Sequence, residues 1–101
     1  MRVLFLYTEL ADYFLKCCDE LAKHAEVHIV RYPVNKEAPF NFENYSLLNI
    51  YNKRDFSRKE LFDLSKKINP DILICAGWID KDYLWIAKKY FKKIPTVMTC
   101  D

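Results

Sequence analysis

One glycine, Gly77, stands among 101 residues. A dinucleotide fingerprint needs several glycines in the turn after the first strand, so that the backbone can approach a pyrophosphate. The turn in question here reads Thr8-Glu9-Leu10-Ala11, which argues against NAD or FAD. It also lacks the hydroxyl- and glycine-rich loop that a flavin phosphate would want. No apolar run approaches the roughly 20 residues that cross a bilayer. The start, Met1-Arg2-Val3-Leu4-Phe5-Leu6-Tyr7, carries one positive charge and a short apolar stretch. Charged and polar residues follow without a small-residue cleavage site, so it reads as a buried strand and not as a signal peptide. Two histidines, His24 and His28, and four cysteines, at 17, 18, 75 and 100, form no C-x-x-C and no metal-ligand spacing. No metal site is expected, and reduced buried thiols in a cytoplasmic protein are. A net charge of +2 is too small to point to nucleic acid, and no nucleic-acid partner is expected. With 51% hydrophobic and 30% charged residues the chain is not disordered, and its length suits one domain.

What is present is organised around Asn69 to Tyr83, N-P-D-I-L-I-C-A-G-W-I-D-K-D-Y. Asn69-Pro70 ends a helix, because proline cannot donate an N–H and pushes its predecessor out of the right-handed helical region. Ile72-Leu73-Ile74-Cys75-Ala76 is apolar on both faces, as in a central parallel strand covered on both sides. Gly77 stands where that strand stops, suited to a positive-φ turn or a close backbone approach, and Asp80 or Asp82 caps the helix beyond. Ligands of open α/β sheets bind at the carboxyl ends of such strands.

In chain order, residues 2 to 7 predict a first strand. A helix from about Leu10 to His24 follows, with Leu10, Phe14, Cys17 and Leu21 on its buried face and Asp19, Glu20 and Lys23 in solvent. Glu26 to Arg31 is a second strand in which His28 is packed or solvated, not catalytic. Residues 32 to 46 form a long connection whose aromatics, Phe40, Phe42 and Tyr45, either pack down or line a cleft. Leu47 to Tyr51 is a short third strand. Phe56-Ser57-Arg58-Lys59-Glu60-Leu61 is a capping box with a hydrophobic staple, opening a helix that buries Leu61, Leu64 and Ile68. A third helix runs from about Asp82 to Lys93, burying Leu84, Ala87 and Phe91. Ile94 to Cys100 is a fifth strand, with Pro95 tolerated at its start. Right-handed crossovers then give a Rossmann-like three-layer α/β/α domain with a parallel sheet of order 3-2-1-4-5.

Lys66, Lys67, Lys88, Lys89, Lys92 and Lys93 fall in or near last helical turns, where they complement the macrodipole. Six lysines on one rim would also attract anionic lipid, so a peripheral contact with the inner membrane face is a second expectation. A doubly wound domain usually continues past a fifth strand, so residues 1–101 are expected to be a fragment.

The stretches M-R-V-L-F-L, N-P-D-I-L-I-C-A-G-W and I-P-T-V-M-T-C-D, in that order and spacing, resemble the N-terminal half of GT-B glycosyltransferases, nearest to the family 4 type. The likeness spans the whole chain. It implies a truncated acceptor-binding half of a two-domain enzyme of polysaccharide biosynthesis. The acceptor would be a sugar or glycan, or a lipid-linked form of either. The nucleotide-sugar donor would sit on a C-terminal domain, and this half alone would be inactive and hold no cofactor. Many members carry His-Asp after the fifth strand. This chain has Cys100-Asp101 there, so only Asp101 matches as a candidate catalytic residue.

The acceptor-binding candidates are Thr8 and Glu9 after the first strand, and Gly77, Trp78 and Asp80 after the fourth. Carboxylates accept hydroxyl hydrogen bonds, and an indole stacks on a sugar's C–H face. Structural roles compete: Asp80 as helix cap, Trp78 as core or interdomain contact, Glu9 as helix-start charge. The alternative reading is a stand-alone flavodoxin- or receiver-like binding or interaction module. The single acid Glu9, and a third strand ending Ile50-Tyr51-Asn52, fit a receiver poorly.

Overall fold

The structure, a computed structural model, describes residues 1–8, 12–32, 47–76 and 80–99. Its elements are β1 (Arg2–Leu6), α1 (Asp12–Leu21), β2 (Glu26–Arg31), β3 (Asn49–Asn52), a 3-10 turn (Lys53–Asp55), α2 (Arg58–Ile68), β4 (Ile72–Ala76), α3 (Lys81–Tyr90) and β5 (Thr96–Thr99). All strand pairs are parallel, in the order β3-β2-β1-β4-β5, so the expected topology is the observed one.

Strand side chains alternate between the two faces of the sheet, and each face has its own cover. Leu4, Leu6, Val30, Leu73 and Cys75 pack with Leu61 and Ile68 of α2 and with Tyr83, Ile86 and Ala87 of α3. Val3, Phe5, Val27 and Ile29 pack with Leu15 and Cys18 of α1. The register sets Leu4 beside Leu73 and Phe5 beside Ile74, which keeps each apolar row on its own side. His28 is buried, its two ring nitrogens within hydrogen-bond reach of Tyr51 Oη (2.9 Å) and Glu26 Oε2 (2.8 Å), a structural role as expected.

The capping box forms as read: Ser57 Oγ accepts from the Glu60 N–H, and the Glu60 carboxylate accepts from the Ser57 N–H at 3.0 Å. At the other end of α2, Asn69 takes the left-handed conformation (φ 55°, ψ 63°), which asparagine tolerates and which closes the helix before Pro70.

Four expectations are corrected. α1 ends at Leu21, short of the His24 read for it, and its buried stripe is centred on Leu15 and Cys18, so Cys17 turns to solvent while Phe14 and Leu21 are half-buried and Leu10 lies outside the described residues. α3 buries Tyr83 and Ile86 beside Ala87. Leu84 is half-buried, and Phe91, just past the last helical residue, is exposed. In α2, Ser65 takes the buried place read for Leu64, which is half-buried. β3 begins at Asn49, with the exposed Leu47 and the buried Leu48 before it, and β5 begins at Thr96, after Pro95. Phe40, Phe42 and Tyr45 lie outside the described residues.

Candidate functional site

Parallel strands deliver all their carboxyl ends to one edge, and here those ends are tied together. The Tyr7 N–H donates to Val30 O (2.8 Å) and the Tyr32 N–H to Thr8 O (3.0 Å), joining the chain after β1 to that after β2. The Tyr32 hydroxyl then donates to Asp80 Oδ2 at 2.5 Å, carrying the tie across to the residue before α3. Tyr83, fully buried, donates its hydroxyl to Tyr7 O at 2.7 Å.

Asp80 is the N-cap of α3, its Oδ1 accepting from the Tyr83 N–H at 3.0 Å. Its Oδ2 also meets Lys53 Nζ at 2.9 Å, and its side chain is only 2% exposed. Lys53, at the end of β3, reaches Asp82 Oδ2 as well, at 3.2 Å, and lies 5.7 and 5.8 Å from the ring centres of Tyr32 and Tyr83. Arg58 Nε holds the other oxygen of Asp82 at 2.8 Å. One ammonium thus sits between two carboxylates and against two aromatic faces.

Electrostatics follow from those contacts. Burial works to raise the Asp80 carboxyl, but the donors Tyr32, Lys53 and the Tyr83 N–H outweigh it and hold the group below the ordinary carboxylate range. Asp82 is lowered too, first by Arg58 and, against its partial burial, by Lys53. Burial, aided by the Asp80 charge, pushes the Tyr32 phenol up to about 12. Lys53 is raised because its two carboxylates overcome its desolvation. At neutral pH the group is therefore an ammonium, two carboxylates and a neutral phenol. Both oxygens of Asp80 are engaged, so that carboxylate organises the edge, while Asp82, with a side chain 26% exposed, also presents itself to solvent.

Of the residues singled out in the sequence, Thr8 and Asp80 lie on this edge and are linked through Tyr32. Glu9, Gly77, Trp78, Cys100 and Asp101 lie outside the described residues. Tyr32, Lys53 and Tyr83 were missed. The available signal was Asp80 and Asp82 themselves: two acids beside a helix start call for a cation, and Lys53 stands at another strand end. Among the described residues no group of three or more His, Cys, Asp or Glu could hold a metal, and no helix is long and apolar enough to cross a membrane. The six rim lysines are all exposed and stand at the ends of α2 and α3, at the opposite edge of the sheet from this site.

A family model described as glycosyl transferase 4-like matches residues 2–101. No significant match was found among curated proteins or among solved structures.

Proposed function

The chain belongs to the glycosyl transferase 4-like family, and from that premise we propose that it is the acceptor-binding half of a glycosyltransferase. Such an enzyme moves a sugar from a nucleotide-sugar donor to a glycan or lipid-linked acceptor. The observation that carries this reading is the Tyr32 tie, which brings the chain after β1 and the chain before α3 to one edge. Thr8, Glu9, Gly77, Trp78 and Asp80 belong to those two connections. In this reading Asp80, clamped by Tyr32 and Lys53, fixes the start of α3 on this edge. Its neighbours take the acceptor: a carboxylate on the sugar hydroxyls and the Trp78 indole on a C–H face. Asp101 follows β5 and is the candidate catalytic group. With one glycine in the chain, no glycine-rich loop can cradle a diphosphate here, so the donor is assigned to a second, C-terminal α/β domain of a cytoplasmic enzyme.

The flavodoxin and receiver alternatives share a 2-1-3-4-5 sheet, whereas this sheet runs 3-2-1-4-5. That observation weighs against them.

Saturation-transfer NMR of the protein with a panel of mono- and oligosaccharides and of sugar nucleotides tests the assignment. Saccharides should show contact signals that Trp78→Ala removes, while sugar nucleotides should show none. Tight sugar-nucleotide binding, or turnover of one by this chain alone, would overturn the acceptor-half reading.

A further inference from the structure

Residues 88–93 read Lys-Lys-Tyr-Phe-Lys-Lys, and the structure sends the two rings opposite ways. Tyr90 is held inward. Its hydroxyl is 2.9 Å from Ser65 Oγ, its ring centre is 6.0 Å from that of Phe62, and its carbonyl accepts from the Lys93 and Ile94 N–H groups at 2.9 and 3.1 Å. With its predecessor fixed this way, Phe91 is 70% exposed. Lys88, Lys89, Lys92 and Lys93, all exposed, surround it in sequence. The parallel topology brings the last turn of α2, with Lys66 and Lys67, to the same edge. Toward the sheet, Phe91 shares a shallow apolar groove with Leu84, Ala87 and Met98.

We propose that this rim docks on an anionic lipid bilayer, with Phe91 entering the boundary between headgroups and acyl chains while the lysines meet lipid phosphates. A bilayer surface is layered, anionic outside and apolar a few ångströms beneath. An exposed phenylalanine flanked in sequence by four exposed lysines matches both layers at once. Lysine stems are long enough to lie along apolar surface while their ammonium groups stay at the headgroups. A polyanion that offers charge alone would satisfy the lysines and leave the Phe91 ring in water. The rim lies a strand's length, roughly 16 Å for five residues, from the edge bearing Asp80. Docking there leaves that edge open to solvent, and the inference stands independently of glycosyl transfer.

The test is co-sedimentation of the protein with vesicles of phosphatidylcholine alone and with vesicles containing one-third phosphatidylglycerol. Binding is expected only to the anionic vesicles, falling about tenfold or more on going to high salt, as screening requires. Replacing Lys92 and Lys93 by Ala should weaken it roughly fivefold per lysine. Phe91→Ser should weaken it several-fold with an unchanged melting temperature, since the ring is exposed. Equal partition onto neutral vesicles, or none onto anionic ones, would overturn the proposal. So would undiminished binding by Phe91→Ser, which would mark the rim as a site for an acidic macromolecule.

Discussion

Removing the Asp80 carboxylate would leave the Lys53 ammonium, its side chain only 23% exposed, with Asp82 as its remaining ion-pair partner among the described contacts. Breaking an enclosed pair from one side typically costs about 3–5 kcal/mol, and the N-cap of α3 would go as well. Asp80→Ala should therefore lower the urea midpoint severely, whereas Asp80→Asn, which keeps a capping oxygen, should do so less. The pH dependence has a fixed sign. The Asp80 carboxyl is lowered in the folded protein, so its contribution is present above the unfolded carboxylate value of about 4 and is lost as pH falls through the depressed one. Asp80→Asn should flatten the acid limb of a stability-against-pH curve, and an unchanged limb would refute the assignment. Asp80 was legible as a cap because capping is local. Lys53 was not, because its partners lie beyond two intervening strands and charge pairing leaves no periodicity in a sequence.

Helix α2 owes both its ends to side-chain chemistry within a few residues. Ser57→Ala breaks the capping box and should cost about 1 kcal/mol. Asn69→Gly should be nearly neutral, and Asn69→Ala should cost about 1–2 kcal/mol, since only the latter pays the Cβ penalty in a left-handed conformation. Thermal melts of the three variants check the order. α2 could be read almost to the residue because each signal lies inside the element. α3 could not. Tyr83 takes the innermost place ahead of Leu84 because its hydroxyl finds Tyr7 O, a partner 76 residues away. The helix also stops at Tyr90, before Phe91 could reach the core. Periodicity ranks residues by apolarity and knows nothing of distant acceptors.

Across the whole molecule, the strand order followed from the succession of apolar runs and helices and from crossover handedness, all written along the chain. The thiols give that architecture a direct probe. Cys17 is exposed, while Cys18 and Cys75 are buried, and their burial pushes them up to about 12 and about 11. In a Cys100→Ser background a thiol reagent should modify one site at once and the other two only as fast as the protein unfolds. Rapid modification of all three would contradict the two-sided packing. β1 has a further consequence. Arg2–Leu6 pairs with β2 on one side and with β4, some 70 residues later, on the other. During synthesis the middle of the sheet therefore emerges first and waits, one flank bare, until residue 76 clears the ribosome. Nascent chains arrested short of that point should recruit holdase chaperones, and those released beyond it should not.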